Sequence, residues 1–230
     1  MRNLVHLHQT AELAERVLLP GDPGRALRMA QELLATPKML NHNRGLWGYT
    51  GTAPDGLPLS IQSTGMGGPS AAIVASELIE LGARRLLRVG TCGGLLPSLE
   101  LGQLLVVAAA IADDGASQAL GGHAPLTRVT PPGRITDSLD IDGGPQATVV
   151  STDLFYDAED RIPRWVDAGA SAVEMETAAL FTLARLRGVE AGSLLLVSNN
   201  LAGAPGYIDA ESLHAAELRL GERAIAALSR

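Results

Sequence analysis

The chain has 230 residues, 46% apolar and 19% charged, with a net charge of −7. It is long enough to bury a substantial core in one domain, and no apolar run is long enough to span a membrane. Cys92 is the one cysteine, which excludes an internal disulfide and a cysteine-rich zinc site. An acidic chain without a Lys/Arg run is a poor partner for nucleic acid. Lys38 is the one lysine, so the other cations are arginines, whose forks suit small anions held bidentately. The N-terminal MRNLVHLHQTAELAER has no basic segment leading into an apolar one, and the expected location is the cytoplasm.

Short β-rich runs alternate with helical patterns along the chain. Arg16 to Leu19 reads as a strand entering PGDPGR, with Asp22 as N-cap and Pro23 as first residue of the helix ALRMAQELL. Leu46 to Thr52 and Leu57 to Ser63 flank PDG as a hairpin. TGMGGPS opens the helix AAIVASELIELG, which Gly82 ends. RRLLRVG is a strand with TCGG as the turn after it. Gln103 to Ile111 is a buried strand followed by the polar loop DDGAS. His123 to Gly144, broken by proline, glycine and polar residues, reads as loop or poorly ordered. ATVVST, SAVEM and SLLLVS are three further strands, the helix ETAALFTLARLRG lying between the last two. The final helix starts near Asp209 with Leu213, Ala216, Leu220, Ala224 and Leu228 on its apolar face. The alternation predicts a single α/β domain over residues 1–230, with a mixed, largely parallel sheet flanked by helices.

Chemistry concentrates where strands end. PGDPGR, TGMGGPS, VGTCGG and VSNN form four turns, none matching a P-loop or a dinucleotide fingerprint. Backbone N–H groups in such turns, with a helix N-terminus behind them, can approach an anion. Arg25, Arg44 and Arg88 stand close to these turns. A solvated surface position explains either of the first two, but Arg88 lies inside an apolar strand, where a cation needs an anionic partner. In VEMET, Glu174 and Glu176 flank Met175. Either carboxylate could cap the following helix or accept from the vicinal hydroxyls of a sugar.

GDPGRA, RG followed by YTG, STGMGGPSAAIVASELIELGA, RVGTCGG, STDLFY and VEMETAALF occur in this order, and together they resemble the hexameric-type purine nucleoside and uridine phosphorylases. ERVLLPGDPGRA and HNRGLWGYTG bring the chain nearest to the bacterial purine enzymes. The resemblance implies a partly barrel-like sheet and the reversible displacement of a base by phosphate, giving ribose 1-phosphate. Nucleoside and phosphate would be the partners, with no metal or organic cofactor. It implies a phosphate site of Gly21, Arg25, Arg88 and Thr91, with Arg44 reaching in from a neighbouring subunit. Met66, Met175 and Glu176 match ribose-contacting positions. His6, or His8 in a shifted register, would cross to the neighbour's sugar, so sites would be shared across a dimer within a homohexamer. The base would lie near Thr91, Cys92 and Gly93, against Phe155 and Val173. Phe155 could equally be a core aromatic, and Cys92 is a pocket wall without a nucleophilic role.

One position departs from the purine pattern. Many purine-cleaving relatives carry VSD where this chain has Val197, Ser198, Asn199 and Asn200. An amide cannot give up a proton near neutral pH, yet it can donate a hydrogen bond to the leaving base. That exchange favours 6-oxopurine nucleosides over adenosine, with Asn199, Arg88 and Glu176 carrying the catalysis. Uridine phosphorylase is the alternative: relatives of that kind also have asparagine here, and they read uracil with a Gln-x-Arg pair for which this chain has Glu159 and Arg161. Glu159 could instead accept from guanine or be a solvated loop acid. A phosphate-independent nucleosidase and a non-catalytic nucleoside-binding protein are the remaining alternatives.

Overall fold

The computed structural model describes residues 4–139, 146–156, 159–202 and 206–229, the side chain of Glu159 excepted. One continuous ten-stranded sheet organises them. β1 (Arg16–Leu19) leads through the Gly21 turn into α1 (Pro23–Leu33), where the Asp22 carboxylate accepts from the N–H groups of Gly24 and Arg25 as expected of an N-cap. β2 (Ala35–Asn41), β3 (Gly48–Thr52) and β4 (Pro58–Gln62) form an antiparallel meander, the last two being the expected hairpin. β2 was not expected: five of its seven residues are exposed and Pro37 interrupts it, so it lacks the alternation that marks a strand. α2 (Gly68–Leu81) follows and ends at Gly82, whose φ of 115° places it in the left-handed region.

β5 (Arg85–Gly94) is the central strand. It pairs with β1 on one side and along its whole length with β10 (Glu190–Asn200) on the other. The glycines of TCGG therefore continue the strand rather than turn it. A Cβ at Gly93 would meet Val173 and Asn199 side chains at 3.3–3.4 Å, so these glycines permit close approach of the neighbouring strands. β6 (Leu104–Asp113) runs antiparallel to β10, with β7 (Thr127–Val129) on it. β8 (Gln146–Thr152) lies parallel to β6, and β9 (Ala172–Glu174) joins β8 to the end of β5. The circuit β5, β10, β6, β8, β9 returns to β5, closing that half of the sheet into a barrel-like ring.

Two regions expected to be loops contain short elements. DDGAS is the capped start of α3 (Gly115–Gly121), where Asp114 accepts from the N–H of Ser117 at 2.7 Å. Between His123 and Leu139 lie β7 and α4 (Ile135–Ser138), too short to show periodicity, and 140–144 lie outside the described residues. α5 (Ile162–Asp167) buries Trp165, whose Nε1 donates to Asp113 at 2.7 Å. α6 (Thr177–Arg187) follows β9, and α7 (Ala210–Leu228) follows β10, starting at Asp209 as expected.

The core has two main layers. α2 and α6 pack on one face of the sheet through Val74, Leu78, Leu180 and Phe181, while α1 and α7 cover the other through Met29, Leu220 and Ala224. Phe181 is fully buried, and truncating such a ring costs roughly 3–5 kcal/mol. None of the described helices is long and apolar enough to cross a membrane.

Candidate active site

Parallel β1, β4 and β5 present their carboxyl ends together, the usual place for a ligand in an α/β sheet. The turns after β1 and β4 are zipped to each other: Thr64 and Gly65 donate their N–H groups to the carbonyls of Pro20 and Gly21 at 2.9 and 3.1 Å. Gly21 and Met66 are thereby brought to one rim, with Met66 84% exposed on the turn.

Arg88 is the centre of the arrangement. It is 4% exposed on β5, and its Nε donates to Glu174 at 2.9 Å while a terminal nitrogen pairs with Glu176 at 2.6 Å. Glu174 also accepts from Ser151 and from the N–H groups of Glu176 and Thr177, so it caps α6 and anchors Arg88 at once. Of the two roles offered for VEMET, capping falls to Glu174. Glu176 makes no side-chain cap; its other oxygen accepts from the Gly67 N–H at 2.5 Å, fastening the Met66 turn to this cluster. Burial pushes the Glu176 carboxyl above the ordinary glutamate value, against the pull of Arg88. A small cavity lined by Leu19, Thr64, Arg88 and Glu176 adjoins the cluster.

Gly90 is a member of this constellation that sequence reasoning missed. The Arg88 guanidinium lies against it, and a Cβ there would stand 2.6–2.9 Å from three guanidinium atoms. Its place in RVGTCGG was the available signal. Arg25 is buried on α1, and its Nε donates at 2.7 Å to Glu217 of α7, a second residue that went unremarked. The signal there was an acid standing beside the apolar positions 213, 216, 220 and 224.

At the other side, β10 contains a bulge. Val197 is opposite Cys92, but Asn199 is opposite Gly93, with Ser198 as the extra residue. The two asparagines consequently do different things. The Asn200 amide donates to the carbonyls of Leu96 and Leu99 at 3.0 and 2.7 Å and accepts from the Ala202 N–H, holding the loop after β5. Asn199 is half-buried, with its Oδ1 near Gly93 and 3.4 Å from the Ser198 hydroxyl. Val173 lies opposite Gly93 on β9, and Thr91 and Met175 are half-buried nearby in sequence.

Cys92 is packed in the core, its Sγ donating to the Leu196 carbonyl at 3.6 Å, so only its backbone borders the strand end. Burial, aided by the negative charge of Glu174, pushes its thiol up to about 12, which keeps it protonated. Phe155 is not a core aromatic: it is 64% exposed and meets Tyr156 edge to face at 5.0 Å. Arg161 ends a 3₁₀ turn before α5; the side chain of Glu159 lies outside the described residues.

The structure does not bring His6 or Arg44 to the Arg88 cluster of their own chain. His6 Nδ1 lies 2.8 Å from Glu77 of α2, whose carboxylate also accepts from the N–H groups of Val5, His6 and Leu7. Burial would raise the Glu77 pKa, but these bonds outweigh it and leave the pKa lowered. Arg44 is exposed, with φ of 57°, on a loop held by buried Asn41, which donates to Leu46 and accepts from the N–H groups of His8 and Asn43. Asn43 in turn donates to the His6 carbonyl at 3.0 Å.

Comparisons with known proteins agree with this architecture. Residues 15–230 match the model of the phosphorylase superfamily. The purine nucleoside phosphorylase DeoD-type of Geobacillus kaustophilus is 38% identical over 202 residues, 84% of each chain. The guanosine phosphorylase of Halorubrum lacusprofundi is 36% identical, across 85% of this chain and 82% of its own. Among solved structures, uridine phosphorylase from Vibrio fischeri superposes with a TM-score of 0.83 at 28% identity, covering 95% of this chain and 92% of that one. With this sheet, these strand-end turns and a match spanning residues 15–230, the chain belongs to the phosphorylase superfamily.

Proposed function

We propose that the protein is a purine nucleoside phosphorylase that cleaves 6-oxopurine nucleosides reversibly with phosphate, giving the free base and ribose 1-phosphate. The observation that carries this reading is the buried Arg88 cluster, a cation paired with two carboxylates. Arg88 lies on β5, the strand between β1, which leads into the Gly21 turn, and β10, which carries Asn199. Arg25, Arg88, Thr91 and the Gly21 turn hold the phosphate dianion under the anomeric carbon. Glu176, with Met66 and Met175, receives the ribose, its carboxylate accepting from the vicinal hydroxyls. As the glycosidic bond lengthens, positive charge on the sugar is met by phosphate and negative charge on the base by a hydrogen bond from Asn199. Gly93, Val173 and Phe155 contact the base, and Glu159 and Arg161 are further candidates for recognising it. Phosphate is a co-substrate, and the steps so written use no metal or organic cofactor.

The exposed Arg44 loop and the His6 segment complete the site of a second subunit, in a dimer that is the unit of a homohexamer. The enzyme works in the cytoplasm, in nucleoside salvage. Support for the purine substrate comes from the relatives, which are named as purine nucleoside and guanosine phosphorylases. Initial rates on inosine, guanosine, adenosine, uridine and cytidine, each with and without phosphate, test it. Phosphate-dependent cleavage of inosine and guanosine is expected; adenosine cleaved as fast as inosine would remove the 6-oxo preference. The fit to a uridine phosphorylase structure favours uridine as the second reading, and uridine as the best substrate would establish it.

A further inference from the structure

Helix α7 carries a charge inside its buried face. Ala216, Leu220 and Ala224 pack against α1 and the sheet, and Glu217 is buried beside them at 3% exposure. Its carboxylate is divided between two arginines of α1. One oxygen accepts from Nε of Arg25 at 2.7 Å, the other from a terminal nitrogen of Arg28 at 2.8 Å. As a helix-to-helix fastening this is a poor choice, because desolvation offsets much of the Coulomb attraction and a well-packed apolar pair does as well.

Geometry gives the pair a purpose. Arg25 is tied through Nε alone, and among the described residues no group accepts from its two terminal nitrogens. The guanidinium is thus fixed along one edge, while the end that grips a phosphate oxygen pair stays available. Charge points the same way: two guanidiniums share one buried carboxylate, and the nearest other acid, Asp22, is 3.7 Å from Arg28 and already caps α1.

We infer that Glu217 is a positioning residue for phosphate, acting through Arg25. It sets the direction in which the guanidinium faces and makes α7 part of the phosphate site. The inference rests on phosphate binding at Arg25, as proposed above. Steady-state kinetics with each substrate varied separately test it. Glu217→Ala is expected to raise the phosphate KM about tenfold or more, leaving the nucleoside KM and the kcat at saturating phosphate within about twofold. Glu217→Gln, which keeps the shape and a neutral acceptor for Nε, is expected to raise it only about threefold. In an Arg25→Ala background, Glu217→Ala should add nothing further.

A phosphate KM unchanged in both variants overturns the inference, as does an equal rise in both KM values or full additivity with Arg25→Ala. Should Glu217→Ala fail to fold, an unchanged phosphate KM in Glu217→Gln decides against it. Base release by the unaltered protein without phosphate overturns the phosphorylase reading itself, an outcome read before any variant is made.

Discussion

Around Arg88 each charged group is buried and answered by another charge, whereas around Asn199 the groups are neutral, half-buried and placed by a break in strand register. On the Arg88 side, Glu174 and Glu176 take two edges of the guanidinium and are themselves held by Ser151, Thr177 and the Gly67 N–H. Arg88 cannot be exchanged for a neutral residue without leaving two buried carboxylates with no cation. On the Asn199 side the amide faces Gly93, whose strand partner is Val173, and among the described residues no charged side chain hydrogen-bonds to it. The contrast teaches where such a fold is fixed and where it can be varied: one half is a network, the other a side chain on a bulge.

The largest way to break the charged half is Arg88→Leu. It strips the proposed phosphate of its central partner and leaves two carboxylates buried without a cation. We expect kcat/KM to fall at least about 10³-fold, with roughly 3–5 kcal/mol lost from the unfolding free energy. Phosphorolysis and urea unfolding measure the two effects; activity within tenfold of the parent would place the phosphate elsewhere.

Gly90→Ala probes the same half more gently. The added methyl must displace a guanidinium that two carboxylates hold, so the arginine is turned rather than removed. A loss of about 10²-fold in kcat/KM is expected, and parent-like kinetics would mean that the cluster accommodates the methyl unaided.

The neutral half should respond in preference rather than in rate. Asn199→Asp supplies a group able to protonate the leaving base, and the adenosine-to-inosine ratio of kcat/KM should rise about tenfold, with unfolding nearly unchanged. An unaltered ratio would detach Asn199 from the base.

Cys92, between the two halves, should show the smallest effect. With its thiol pushed up to about 12, alkylation of the folded protein at pH 8 should be negligible, while the urea-unfolded chain reacts. The sign for stability follows from the raised value. The contribution of the buried thiol is full below the unfolded pKa, and it declines as pH rises from there towards the folded one. Rapid labelling of the folded protein would show that the strand opens.

The charged half was legible because its signals are local. An arginine inside RRLLRVG has few explanations, and VEMET set two carboxylates at the head of a helix. The neutral half was legible only in part. VSNN announced an amide at a strand end, but the extra residue Ser198, which separates the tasks of Asn199 and Asn200, depends on the register against β5 and leaves no periodic trace. TCGG misled for a related reason: glycines that usually bend a chain here let three strands converge. β2 escaped notice because an exposed edge strand carries no apolar alternation. Glu217 was visible as an acid beside an apolar stripe, yet its partner 192 residues away on α1 was not.

The bonds among Asn41, Asn43 and the N-terminal segment have a consequence beyond local order. The His6 carbonyl and the Arg44 loop are joined through the same two asparagines, so the segments proposed to serve a neighbouring subunit travel as one piece. Dissociation would then withdraw the sugar contact and an anion contact together, and specific activity would depend on enzyme concentration. Dilution would act as a switch on turnover, with the fold of each chain left intact.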